Sequence, residues 1–278
     1  MAAGFSMIDL ITITNDVDLA AKCDALPGMR LFVDLERNGK AERQAGRNTF
    51  ISTHQIADIA RVRAVLKHSR LMVRVNPCEI DKLESTHQEI EDVLARGADL
   101  LMLPMFTCAE PLQAFAALVA GRVPVVPLLE TAGALASLNE WIDTPGIEEV
   151  FVGLNDLHTS LGCRFMFEPL ALGHVDRVAR ATVQRELRFG FGGVARAHEG
   201  LLPGRDVLAE HVRLGSQAVI LSRTFNHHNS EIPFEQAVAE LRQAEQQLNL
   251  RTPEQTESDR LRVAALIRHL AEQNGSKA

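Results

Sequence analysis

The sequence has no surplus of positive charge, no paired cysteines and no long apolar run. The formal net charge is −7, which argues against nucleic acid as a partner, because binding phosphates needs a basic face. No apolar stretch approaches the roughly 20 residues that cross a bilayer, so no membrane partner is expected. Cys23, Cys78, Cys108 and Cys163 lie far apart. That spacing excludes a zinc knuckle or a two-cysteine redox motif and suits apolar fillers in a reducing compartment. The N-terminal MAAGFSMIDL has neither the basic start nor the apolar core of a signal peptide, so the expected location is the cytoplasm. There is also no internal repeat, low-complexity stretch or domain linker.

What is present is a chain of 278 residues, 46% hydrophobic and 23% charged, able to bury a large core without disulfides. Short β-rich runs alternate with helical patterns along its length. The runs are IDLITIT (8–14), RLFVDLE (30–36), LMVRVN (71–76), LLMLPM (100–105), VPVVPLLE (123–130), EEVFVGLNDL (148–157), RFGFGGVA (188–195) and QAVILSR (217–223). Most are nearly continuous aliphatic residues, as strands covered on both faces require. Between them, Ile80, Leu83, His87, Ile90 and Leu94 recur at helical spacing before Gly97. About eight β/α units in one alternation predict an α/β chain folded as a (β/α)8 TIM barrel. An open doubly wound sheet would need a glycine-rich turn after its first strand, and ITITNDVD has no glycine. Two further helices are predicted beyond the eighth strand, over 233–248 and from Thr252-Pro253 onward. The second carries the apolar stripe Val263, Leu266, Ile267 and Leu270. Residues 1–250 are therefore read as the barrel, and 251–278 as a C-terminal helix and tail whose stripe docks on the barrel or on a partner.

In such a barrel the reactive groups gather at the C-terminal ends of the strands. Polar residues at those ends are Asp34 and Glu36, Arg74 and Asn76, Glu130, and Asn155 with Asp156. Glu130 and Asp156 end consecutive predicted strands, which run about 5 Å apart. Two carboxylates that close repel unless a proton or a cation lies between them, and an oxygen-only pair suits Mg²⁺ or Mn²⁺. The competing reading is that both acids cap the helices that follow. Arg74, inside an aliphatic strand, is either an electrophile for a carboxylate or enolate oxygen or a buried partner of Asp34, and the two roles are compatible. Asp34 and Glu36 share one face of their strand and can orient Arg74 and bound water.

Weaker signals surround these. Gly153, Gly192 and Gly193 let backbone approach a ligand or simply turn the chain. His54, His158, His198, His227 and His228 are candidate acid–base groups, but with ten histidines in the chain any one is more often ordinary than catalytic. Arg196 and Arg223, near the ends of the last two strands, can meet an anionic group.

The segments VDLE (33–36), VRVN (73–76), GADLLMLP (97–104), PLLET (127–131) and PGIEEVFVGLNDLHTSLG (145–162) together resemble the HpcH/HpaI-type aldolase and citrate lyase beta-subunit family. The resemblance runs in order from the second strand to the eighth. It implies a TIM barrel with a Mg²⁺ or Mn²⁺ site, Glu130 and Asp156 as metal ligands, and Arg74 polarising the oxo group. It further implies pyruvate or oxaloacetate as the kind of ligand, with backbone near Gly153, Leu154 and Asn155 holding its carboxylate. A C-terminal helix exchanged in a trimer or hexamer is also implied. The sequence departs from the aldolase branch at Arg37, where a histidine would follow the strand-two acid, so His54 is the candidate replacement. Lys40 and Arg43 loosely follow the lyase branch, but the Pro-Gly turn after its first strand is missing.

The function expected is a metal-dependent carbon–carbon lyase of aldolase type that works on a 2-oxo acid through an enolate. The alternatives are a condensing synthase with the same site chemistry and a non-catalytic barrel that binds a metabolite. Three buried charged groups kept together favour catalysis, because such groups are costly to retain without use.

Overall fold

The computed structural model describes residues 7–37, 53–222, 225 and 232–275. Its eight strands are β1 (Asp9–Ile13), β2 (Met29–Asp34), β3 (Leu71–Arg74), β4 (Leu100–Leu103), β5 (Val125–Leu129), β6 (Glu149–Val152), β7 (Arg188–Val194) and β8 (Ala218–Leu221). They close in chain order into a (β/α)8 barrel, and the registers resolved between neighbours are parallel. Every predicted strand is present. Strands β2, β4, β5 and β6 are buried along their whole length, which is why their sequences run on without polar alternation. No helix among the described residues is long and apolar enough to cross a membrane.

The helices are α1 (Val17–Asp24), α2 (Ile56–Arg63), α3 (Leu83–Leu94), α4 (Ala109–Val119), α5 (Ala132–Ala136), α6 (Leu138–Trp141), α7 (Leu154–Ser160), α8 (Glu168–Ala171), α9 (His174–Val183), α10 (Gly204–Leu214), α11 (Phe234–Asn249) and α12 (Pro253–Gly275). Two compact units make up the chain: Leu10–Phe151, and the residues before Leu10 together with those from Val152 on.

In the first unit, Ile59 and Val62 of α2, Ile90 and Val93 of α3, and Leu112, Phe115 and Val119 of α4 are buried with the strands they cover. At the other end of the strands from the predicted site, Arg30 makes a two-pronged ion pair with Glu149 at 2.7 and 2.9 Å. Both side chains are almost fully buried. Asp24 closes α1 and accepts the backbone N–H groups of Lys67, His68 and Ser69, fixing the turn that feeds β3.

In the second unit, α10 lies on β7 and on α11 and α12. His211 of α10 stacks on Phe191 at 3.7 Å and faces the Ser216 hydroxyl at 2.7 Å. Thr252 and Gln255 bond reciprocally at the start of α12, as a capping box does. Helix α12 packs against α8 and α10 of its own unit. Val263 and Ile267 are 1% and 0% exposed, whereas Leu266 and Leu270 are half-buried, so the predicted apolar stripe is covered only in part within the chain. Cys23 and Cys78 are buried as expected, but Cys108 is exposed and Cys163 half-buried. Both lie in loops beside helix ends rather than on a covered face.

Candidate active site

Strand β2 ends at Asp34 and β3 at Arg74, and the two residues are partners in the parallel register. Alternation therefore turns their side chains to the same face of neighbouring strands. Arg74 donates through Nε and Nη2 to the two oxygens of Asp34, each at 2.8 Å. This side-on fork fixes the plane of the guanidinium. Its Nη1 lies 3.3 Å from Glu36, and its Cζ is 5.8 Å from the centre of the Phe32 ring. Burial works against the charge on Arg74, yet Asp34, Glu36 and Glu130 together hold its pKa above the ordinary arginine value. The cation is thus permanent, largely withdrawn from water, aimed by Asp34 and Glu36 and set in the field of Glu130.

Glu36 lies past the end of β2 but stays buried, its backbone N–H donated to Asp34 Oδ1 at 3.2 Å. His54 is buried in the segment before α2, and its Nδ1 accepts the Asp34 backbone N–H at 3.1 Å. An acceptor Nδ1 means a neutral ring protonated at Nε2. For His54 to take a proton, the bond to Asp34 must first break. Arg37, standing where the resemblance implies a histidine, donates its N–H to Asn76 and its guanidinium to the His54 carbonyl. Asn76 in turn donates to Glu89. Burial raises the pKa of Glu89, with the Asn76 bonds acting in opposition.

Glu130 follows the last residue of β5 and is 3% exposed. Its Oε1 accepts the backbone N–H of Met105 at 3.1 Å. Thr131, next in sequence, caps α5 through the N–H of Ala134 and donates its hydroxyl to the carbonyl of Phe106 at 2.7 Å. The loop after β4 and the end of β5 are therefore laced together around Glu130.

In the other unit, the predicted sixth strand stops short. Strand β6 ends at Val152, Gly153 is the N-cap, and Leu154, Asn155 and Asp156 form the first turn of α7. Asp156 thus sits on a helix, not at a strand end. Leu154 and Leu157, buried three residues apart, set a helical period that Val-Gly-Leu had masked. An acid in the first turn also complements the helix dipole. Gly192 has φ +52°, and a Cβ there would meet Leu154 Cδ1 at 2.9 Å. It marks an irregularity in the β7–β8 register that lets α7 approach β7. His158 Nδ1 faces the Leu154 carbonyl at 3.1 Å, which leaves Nε2 as the basic nitrogen of its ring. Arg196 is buried but tied to backbone, donating to the carbonyls of Ile232 and Phe225 at 3.0 Å each. Lys40, Arg43, Arg223, His227 and His228 lie outside the described residues.

The structure therefore brings together Arg74, Asp34, Glu36 and His54, with Glu130 contributing to the field at Arg74. Gly153, Leu154, Asn155 and Asp156 form one helix start in the second unit. As donors, Glu130 and Asp156 offer oxygen only, which fits a hard cation that keeps several waters. No cluster of three or more His, Cys, Asp or Glu able to enclose a metal occurs among the described residues. The sequence pattern gave no sign of the Met105 amide or of Glu89.

Residues 14–169 match the family described as HpcH/HpaI aldolase/citrate lyase. No curated protein sequence matches the chain. Among solved structures, an HpcH/HpaI aldolase/citrate lyase family protein from Burkholderia cenocepacia J2315 aligns at TM-score 0.60 and 17% identity, covering 87% of this chain and 94% of its own. The HpcH/HpaI aldolase from Desulfitobacterium hafniense DCB-2 aligns at 0.57 and 16%, covering 80% and 87%. A structure titled citrate synthase SbnG aligns at 0.58 and 16%, covering 88% and 95%. At these identities the likeness establishes the fold.

Proposed function

The chain belongs to the HpcH/HpaI aldolase/citrate lyase family, and from that premise we propose that it cleaves a carbon–carbon bond next to a 2-oxo acid such as pyruvate or oxaloacetate. The observation that carries this reading is Arg74, a half-buried guanidinium held flat by Asp34 at the C-terminal end of β3. A planar, permanently charged donor is suited to an oxygen on which negative charge develops. Three carboxylates nearby keep Arg74 charged, and Asp34 and Glu36 orient it, so little reorganisation is needed as that charge appears.

Glu130 and Asp156 are proposed as the protein ligands of Mg²⁺ or Mn²⁺. The bound cation would act as a Lewis acid toward the oxo acid. The N–H groups at the start of α7, from Gly153 to Asn155, are proposed to receive the substrate carboxylate, as unsatisfied amides at a helix N-terminus can. With oxaloacetate, the C3–C4 bond breaks, CO₂ leaves, and the electron pair enters the enolate of pyruvate, whose oxygen faces Arg74. A proton then returns to C3. Run in reverse with another electrophile, the same enolate forms a bond, which is the condensing reading. The direction depends on the acceptor.

A homo-oligomer, trimer or hexamer, is part of the proposal chiefly on the family resemblance, because the chain itself buries Val263 and Ile267 and leaves only Leu266 and Leu270 of the α12 stripe half-buried. The test is decarboxylation of oxaloacetate with Mg²⁺ or Mn²⁺, followed by the loss of its enol absorbance. Acceleration over the metal-only control, abolished by chelator and by Glu130→Gln, supports the proposal. No acceleration in folded, metal-loaded protein would favour a metabolite-binding barrel without catalysis.

A further inference from the structure

Met105 is a residue without a glycine's freedom held at φ +59°. Side chains other than glycine, asparagine and aspartate seldom adopt this left-handed conformation. Such backbone persists only where the surroundings over-determine it, and it gathers at functional sites. Here the surroundings are specific. Met105 follows Pro104 at the end of β4, and its N–H is donated to Glu130 Oε1 at 3.1 Å. The next carbonyl, of Phe106, is held by the Thr131 hydroxyl. The Phe106 ring stands edge-on to Trp141, with centroids 5.2 Å apart, and Trp141 is itself anchored through Nε1 to the Ala134 carbonyl. Gly133 closes the clamp, because a Cβ there would lie 2.5 Å from the carbonyl oxygen of Thr107. Each of these holding groups follows Glu130 within a dozen residues, so the loop and the carboxylate are fixed by the same short stretch of chain.

We infer that Met105 is a positioning residue: its left-handed backbone aims an amide at Glu130 and fixes which oxygen of that carboxylate is presented to a divalent cation. The inference rests on the reading of Glu130 as a metal ligand. A carboxylate that must satisfy one oxygen with a backbone donor cannot rotate freely. Outer groups that orient a ligand typically govern metal affinity by about 10–100-fold. The side chain of Met105 has no part in this, which is why the identity of the residue carries no signal in the sequence.

The test is a titration of the full chain with Mn²⁺, followed by calorimetry, with melting temperature measured alongside. Met105→Ala and Met105→Gly keep the amide, and glycine also relieves the backbone. Both should bind Mn²⁺ as wild type does, the glycine variant melting no lower. Met105→Pro removes the N–H and forbids positive φ, and should weaken Mn²⁺ roughly 10-fold or more. Gly133→Ala pushes on Thr107 from the far side with the amide intact, and should weaken Mn²⁺ in the same way. It decides the matter if the proline variant does not fold. A purely structural loop would change melting temperature in these variants and leave Mn²⁺ affinity untouched, and that result overturns the inference. If wild type binds Mn²⁺ and Glu130→Gln loses it while Met105→Pro and Gly133→Ala do not, positioning alone is wrong. If wild type binds no Mn²⁺, the metal reading falls and the inference falls with it.

Discussion

Replacing Arg74 by alanine removes the guanidinium that pairs with Asp34 and Glu36 and lies in the field of Glu130. The Arg74 side chain is 14% exposed and that of Asp34 only 6%, so water can do little to compensate. Breaking one side of a buried ion pair costs about 3–5 kcal/mol. The partial exposure of Arg74 sets the expectation at the lower end, about 3 kcal/mol. For a chain of this size each kcal/mol moves the melting temperature by about 2–4 °C, so Arg74→Ala should melt about 6–12 °C below wild type. Asp34→Ala should be destabilised comparably, because it leaves the guanidinium without its fork. The double variant should be less damaged than the sum, with a coupling of about 2 kcal/mol for two groups in direct contact. Arg74→Lys keeps a charge but loses the two-pronged geometry, and should fall between. Decarboxylation of oxaloacetate measured on the same samples should drop about 10²–10³-fold in Arg74→Ala, the usual loss when a donor to a developing oxyanion is removed. Thermal melts at pH 7 together with that assay decide the case. A strictly additive cycle would refute the reasoning on the pair, and full activity in Arg74→Ala would remove the residue from the chemistry.

Other consequences are as definite. Burial raises the pKa of Asp24, but the N–H groups of Ser69, Lys67 and His68 overcome it and hold the folded value at about 2. Its contribution is therefore present above roughly pH 4 and lost as pH falls through about 2, and Asp24→Asn should flatten that limb of a urea-unfolding series. Burial holds His211 at about 3, below its unfolded value of roughly 6.5. Stability should be level above about pH 6.5 and fall as pH drops from there toward about 3, with that slope missing in His211→Phe. Ile267→Ala, which empties a fully buried position on α12, should cost about 2–5 kcal/mol by the same unfolding measurement.

The barrel was legible because its strands are nearly unbroken aliphatic runs at eight spaced places, with no glycine-rich turn after the first to favour an open doubly wound sheet. The pairing of Asp34 with Arg74 was legible too, since both interrupt such runs at the same end. What failed has local causes. Val152-Gly153-Leu154 reads as continued strand until the burial of Leu157 reveals a helical period, so Asp156 was assigned to the wrong kind of element. The α12 stripe showed that an apolar face needed cover, but not that α8 and α10 supply it. A histidine near the strand-two acid was foreseeable at His54, whereas the use of its Nδ1 as an acceptor depends on a backbone N–H that no residue type encodes. The Met105 amide was invisible for the same reason.

If the proposal is right, this chain stabilises the enolate of a 2-oxo acid. The direct measurement is the exchange of pyruvate methyl protons in heavy water, followed by proton NMR with Mg²⁺ or Mn²⁺ present. Exchange needs no knowledge of the acceptor, only the oxo acid, the cation, Arg74 and a base. Exchange should run faster than in the enzyme-free control and be lost on chelation, in Glu130→Gln and in Arg74→Ala. Exchange at the control rate in folded, metal-saturated wild-type protein, with oxaloacetate also left intact, would contradict it.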